Sequence, residues 1–178
     1  GVTSISDFSA LGYTSEAIAN YMSLLGWSVP EGMAERFTLS EAAAAFSFDR
    51  VNKAGARFDW DKLNWLNAQV LHGLTPEQLL DAAAPLWRQK KWSLPDDPSW
   101  SLALCELLGP SLTLLGDAVD QAQPFFVCPE LQEDGLKQLN VDGARSALIH
   151  LVESLEVDPW DGMDTAEAQS MLGDAANK

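Results

Sequence analysis

Three features of this 178-residue sequence predict a mainly α protein. Apolar residues recur at helical spacing, capping residues stand at the head of several such runs, and no stretch sustains the apolar/polar alternation of a half-buried strand. The 47% hydrophobic composition suits one domain of ordinary size, or two small ones sharing a core.

The elements follow in order. "TSEAIANYMSLLGW" opens at the hydroxyl cap Thr14, aligns Ala17, Ile18, Tyr21, Met22 and Leu25 on one face, and stops at Gly26. "TLSEAAAAFSF" sets Thr38 and Glu41 at capping-box spacing, where the hydroxyl accepts from one unpaired helix amide and the carboxylate from another. "TPEQLLDAAAPLW" repeats this with Thr75, Pro76 and Gln78, and Pro85, which lacks an N–H, is expected to bend or interrupt the helix. "DDPSWSLALCELLG" takes Ser99 as its cap, with Leu102, Cys105, Glu106 and Gly109 marking its turns. "LQEDGLKQLN" and "ARSALIHLVESLE" come next, and Asp164 with Glu167 marks the start of a last helix. Breaker-rich joints fall at 71–76 ("LHGLTP"), 91–100 ("KWSLPDDPSW") and 156–164 ("EVDPWDGMD").

Several function classes lose support. No run of 18 apolar residues occurs, and "GVTSISDFSA" has neither a basic nor an apolar signal region, so no membrane span or secretory signal is expected and the location is read as cytoplasmic. Cys105 and Cys128 form no CxxC, and only His72 and His150 could add nitrogen ligands; the thiols are read as structural and no metal site is assigned. The phosphate-loop, dinucleotide, zinc-protease and serine-elbow patterns are all missing. Asp96–Asp97 and Glu133–Asp134 are read as solvent-facing, and His150, amid apolar helix residues, as a packing residue. No catalytic residue is assigned.

Charge is unevenly spread within a formal net of −15. Residues 1–91 hold 8 basic and 10 acidic side chains (−2), while 92–178 hold 3 and 16 (−13). Between 36 and 91 the balance is 8 against 6, or +2. Residues 50–67, "RVNKAGARFDWDKLNWLN", interleave Arg50, Lys53, Arg57 and Lys62 with Phe58, Trp60 and Trp65. Two readings stand on spacing alone. The cations solvate a helical face and pair with Asp49, Asp59 and Asp61, or they offer phosphate a salt-sensitive landing place. Trp65 and Phe58 could stack on unpaired bases, but the spacing of Leu63 and Leu66 favours the core for both.

The segments "GVTSISDFSALGYTSEAIANYMSLLGWS" and "FTLSEAAAAFSFDRVNKAGARFDWDKLNWLNAQ" resemble the bacterial glutamyl-tRNA synthetases, in a cyanobacterial or plastid-like style, just beyond that family's K-[IL]-S-K-R loop. The shared marks are a G-x-T-S-x-x-x-F-type segment, a G-[YF]-x-x-E-A helix, an L-x-x-L-G-[WF]-S turn, and R-V-[ST]-K followed by F-D-x-x-K-L-x-W-x-N. They cover residues 1–75; beyond, "ELLGPSLTLL" and "AEAQSMLGDAAN" resemble the family's anticodon-binding helices. The resemblance implies a fragment: a stem-contact fold over 1–74 and the first part of an α-helical anticodon-binding region over 75–178. The parent's catalytic domain, with its ATP, Mg and glutamate site, then lies outside the chain, which needs no cofactor and is inactive alone.

Carried over by matching position, the implied tRNA-binding residues are Asn52, Lys53 and Lys62, with Asn52 departing from the usual Ser/Thr; Arg57, in the same cationic stretch, is read with them. Phosphate contacts of this kind position an RNA without reading its sequence. Where family members specific for glutamate tRNA carry an arginine that discriminates the third anticodon base, this sequence has Ser111, or Gly109 as the nearest alternative. No arginine occurs between Arg88 and Arg145. The implied parent is therefore non-discriminating, with tRNA-Glu and tRNA-Gln as partners, monomeric, and engaging neither membrane nor DNA. The rival reading is a helical protein-interaction domain with no RNA role, favoured by the acidic second half.

Overall fold

Hydroxyl and carboxylate caps start the helices where backbone amides would otherwise go unpaired. The computed structural model describes residues 4–53, 55, 57–128, 130, 132–157 and 163–176. Thr14 begins α2 (Ser15–Gly26), which follows the short α1 (Ile5–Ala10), by accepting from the Ala17 amide at 3.2 Å. Reciprocal capping boxes open α3 (Leu39–Ala45), from Thr38 and Glu41, and α5 (Pro76–Gln89), from Thr75 and Gln78. Asp59 caps α4 (Trp60–His72) through the Lys62 amide.

Two expectations are corrected here. The cap of α6 (Pro98–Leu108) is Asp97 rather than Ser99, because the Asp97 carboxylate accepts the Ser99 amide at 3.0 Å. Its hydrogen bonds with the Ser99 side chain and backbone hold the Asp97 carboxyl below the usual carboxylate range. Pro85 does not interrupt α5, which runs through to Gln89. The proline removes one donor on an exposed face, while Ala83, Ala84 and Trp87 on the other side are buried and hold the helix in place.

The chain divides into two compact units, Gly1–Cys128 and Pro129–Lys178. In the first, α4 serves two cores. Its Leu63 and Leu66 pack with Tyr13, Ile18 and Tyr21, and its Leu71 packs with Leu79, Trp87, Leu104, Leu108 and Leu112. The joint expected at 71–76 is the turn between α4 and α5, inside this unit. The second core is closed by α7 (Asp117–Phe126), whose Ala118 carbonyl accepts the buried Trp87 indole N–H at 2.9 Å. Met22, expected on the buried face of α2, is instead 56% exposed; Asn20 is buried there because its amide bonds Glu35 and Phe37 backbone.

The second unit holds α8 (Glu133–Leu139), α9 (Ala144–Val157) and α10 (Thr165–Ala176). Asp164 and Glu167 exchange backbone hydrogen bonds of 3.0 and 2.9 Å at the head of α10. No named strand occurs among the described residues; one isolated antiparallel bridge joins Trp27 to Val51. No helix among them is long and apolar enough to cross a membrane.

Candidate nucleic-acid interface

The Trp27–Val51 bridge presents the basic stretch. Ser28 donates its amide to the Arg50 carbonyl at 3.0 Å, and Asn52 donates to Gly26 at 2.9 Å. Arg50 clips the same corner by donating to the Val29 carbonyl at 3.2 Å. The Asn52 side chain accepts from the Ser28 hydroxyl at 3.0 Å and is exposed, as is Lys53. Arg57, also exposed, lines a cavity of about 360 Å³ together with Lys62, Glu35, Asp59, Ser28 and Trp27. Neither Lys53 nor Arg57 makes an ion pair among the described residues.

Lys62 is placed differently from the other cations. Its ammonium pairs with the Glu35 carboxylate and lies 4.9 Å from the centre of the Trp65 ring. A phosphate would have to compete with Glu35 for it. The core position expected for Trp65 is not what the structure has: the ring is 43% exposed, since the buried face of α4 is filled by Leu63, Leu66 and Asn67. Phe58 lies between, 37% exposed yet packed in an aromatic cluster with Phe8, Tyr21 and Trp60.

Gly109 and Ser111 bound the single 3-10 turn that ends α6. Gly109 lies against Leu79, where an added Cβ would reach its methyl at 3.5 Å, an ordinary contact. The Ser111 Oγ is 2.8 Å from the Leu108 carbonyl and 2.6 Å from the Gln121 side-chain amide. A hydroxyl has one proton, so the Leu108 carbonyl and the Gln121 Oε1 compete to accept it.

The segment after this turn is stapled to α4. His72 Nε2 is 2.9 Å from the Leu112 carbonyl, which can only accept, so that nitrogen carries the proton. Asn67, fully buried, donates to the Thr113 carbonyl at 2.6 Å and accepts from the Thr14 amide and hydroxyl at 2.8 and 3.0 Å. Asp117 accepts from the Thr113 and Leu114 amides at 2.9 and 2.8 Å. Sequence reasoning missed these clamps. The available signal was Asn67 itself, an amide at a core-facing position of an amphipathic helix, which must find internal partners when buried.

Burial pushes the Cys105 thiol up to about 11, while Cys128 is exposed. Among the described residues no group of three His, Cys, Asp or Glu side chains is placed to hold a metal ion. His150 is half-buried beside a cavity with Glu153, Glu167 and Asp174, and its backbone carbonyl accepts from Ser154.

The geometry defines a class first: an all-α region that displays a short cationic loop and holds its turns with buried polar clamps. No family model matches the chain. Over 176 residues it is 69% identical to the glutamate–tRNA ligase of Parasynechococcus marenigrum (strain WH8102) and 66% identical to that of Synechococcus sp. (strain CC9902). Each comparison covers 99% of this chain and 37% of the relative. The crystal structure of a glutamate tRNA ligase from Elizabethkingia meningosepticum, in complex with its amino acid, matches with a TM-score of 0.73 at 26% identity, over 92% of this chain and 31% of that one. A second synthetase structure, from Elizabethkingia anophelis, shares the fold at 21% identity with a TM-score of 0.64. The chain is thus similar along nearly its whole length to these glutamate–tRNA ligases, and it spans 37% of the length of those it matches.

Proposed function

We propose that the chain is the tRNA-contacting part of a glutamate–tRNA ligase, a class I aminoacyl-tRNA synthetase of the cytoplasm. The observation that carries this is the displayed stretch in a chain so similar to these ligases: Lys53 and Arg57 stand exposed and make no ion pair among the described residues. Cations so placed can meet phosphate without first breaking an internal contact. Residues 1–74 would touch the tRNA body, and 75–178 would form part of the anticodon-binding region. ATP and Mg would serve the parent elsewhere, and no step of the ligation falls to residues of this chain.

The parent is further proposed to charge tRNA-Gln as well as tRNA-Glu. Ser111 is short, and its hydroxyl is engaged by Leu108 and Gln121. Neither it nor Gly109 supplies the planar cation that could clash with, or grip, a third anticodon base. Placing Ser111→Arg in the full-length parent should suppress charging of tRNA-Gln relative to tRNA-Glu. If the unaltered parent leaves tRNA-Gln uncharged, non-discrimination is wrong.

The tRNA-contact reading itself is tested by titrating the chain with tRNA-Glu at low salt. Lys53→Ala and Arg57→Ala should each weaken binding and lower the salt slope by about one counterion. Lys62→Ala should do less, because Glu35 already neutralises that ammonium. Salt-independent binding, or none from folded protein, would favour the protein-interaction reading. That reading is supported by the apolar Leu148, Ile149 and Val152 exposed on α9.

A further inference from the structure

A second concentration of cations and aromatics lines a cavity distinct from the one at Arg57 and Lys62. The cavity between the C-terminal ends of α5 and α7 measures about 590 Å³ and is lined by Lys90, Lys91, Trp92, Trp100, Phe125 and Phe126, among others. That volume falls in the range of small-ligand sites. No carboxylate of the described residues lines it. By contrast, the cavity at Arg57 and Lys62 includes Glu35 and Asp59, and the one beside His150 includes Glu153, Glu167 and Asp174. Lys90 and Lys91 are exposed and make no ion pair among the described residues. In a protein of net charge −15, two unopposed ammoniums at one cavity are a local exception.

The aromatic wall is built on Phe126. Trp92 stacks on it at 4.8 Å and 14°, Trp100 meets it edge-on at 5.4 Å, and the buried Trp87 supports it at 5.5 Å. Phe125 remains 50% exposed and Trp100 39% exposed.

Lys91 occupies this rim at a conformational cost. It is the one non-glycine residue with positive φ (63°) among the described residues. The Trp92 amide bonds the Trp87 carbonyl at 3.2 Å and the Lys91 amide bonds Arg88 at 2.9 Å, the pattern that ends a helix through a left-handed residue. Glycine is the residue this position favours. A lysine here keeps a side chain where the backbone would be more stable without one.

We infer that this cavity is a subsite for an unpaired nucleotide of RNA, with Lys90 and Lys91 meeting its phosphate and Phe125 and Trp100 its base. Stacking platforms flanked by cations hold single-stranded RNA without reading its sequence, because every base has a π-face. An acidic peptide would satisfy the lysines and leave the aromatic faces unused. The assignment rests on the tRNA-contact reading only in naming RNA as the ligand's source.

The test is fluorescence anisotropy of the 178-residue chain with a labelled single-stranded heptaribonucleotide at low salt. The wild-type chain should bind it. Lys91→Gly should weaken binding about 3-fold while keeping or raising the melting temperature, since it restores the favoured residue at the helix end. Phe125→Ala should weaken it by about 5-fold or more through lost stacking. No binding by folded wild type, or equal binding by Lys91→Gly, overturns the subsite. So does displacement by a glutamate heptapeptide as effective as by unlabelled RNA. Titration of tRNA-Glu against Lys53→Ala in parallel keeps the two questions separate: a response there with none at Lys91 removes the subsite and leaves the tRNA-contact reading standing.

Discussion

The two units carry nearly equal charge on very unequal frames. Gly1–Cys128 holds 8 basic and 15 acidic side chains, a net of −7; Pro129–Lys178 holds 3 and 11, a net of −8 in under half the length. The first buries Trp87, Leu63, Leu66, Leu71 and Leu112 almost completely. In the second, Ala175 alone is buried among the described residues, while Leu136, Val141, Leu148, Ile149, Val152 and Leu172 are each 46–56% exposed. Both are helical, and both have capping boxes. Helix formation and core formation are therefore separable here: caps and periodicity suffice to start a helix, but its stability depends on what its apolar face can cover.

Substitutions can press on this contrast. The largest effect is expected from Trp87→Ala, which empties a fully buried site and breaks the bond to Ala118; a loss of about 3–5 kcal/mol is expected by denaturant unfolding. Leu172→Ala in the second unit, 48% exposed, should cost well under that. Equal losses would mean that the second unit has a core as tight as the first. Asn67→Leu comes next. It leaves the Thr113 carbonyl and the Thr14 amide without their partner, so about 1–3 kcal/mol per orphaned group is at stake. If Asn67→Leu were neutral, the polar clamp would not be holding α4 to the 112–116 segment.

Two smaller effects sharpen the picture locally. A thiol reagent at neutral pH should label Cys128 readily and Cys105 slowly, because the Cys105 thiolate is disfavoured by burial in the first unit's core. Mass spectrometry of early adducts would read the order. The mildest prediction concerns α3. The Thr38 backbone and hydroxyl lower the Glu41 carboxyl, and Arg36 adds to this. A depressed carboxylate contributes stability that is present above its unfolded value and is lost as pH falls through its folded value. The protection of α3 amides, measured relative to their intrinsic exchange rates, should therefore decrease on acidification below about pH 4.5. Glu41→Gln, which retains an acceptor, should remove that local pH dependence.

Helix starts were legible because a cap acts over three residues. Thr14, Thr38 with Glu41, Thr75 with Gln78, and Asp164 with Glu167 needed nothing beyond their own neighbours. One misreading was local: Asp97 stands two residues before Ser99 and caps the helix with a carboxylate that has two acceptor oxygens. The others came where a choice depended on distant chain. Trp65 and Met22 satisfy helical spacing but face outward, since Asn67 and Asn20 take buried positions by bonding backbone far along the chain. The candidate site divides the same way. Asn52, Lys53, Arg57 and Lys62 stand out as a cationic stretch in an acidic sequence, yet the pairing of Lys62 with Glu35 joins residues 27 apart.

Local chemistry in the chain was enough to establish an α-helical protein, the heads of its helices, the cationic stretch and the synthetase resemblance, because each rests on residues within a few positions of one another. Tertiary packing set which cations stand unopposed, which aromatics remain in reach of solvent, and how the Ser111 turn is held. Those outcomes depend on groups brought together across tens of residues, as when Asn67 joins Thr14 to Thr113. The gathering of Lys90 and Lys91 with Trp100 and Phe125 around one cavity is of the same kind. No periodicity encodes such meetings; they follow from burying α4, α5 and α7 against common cores, which leaves each polar or aromatic side chain to the partners that burial brings near.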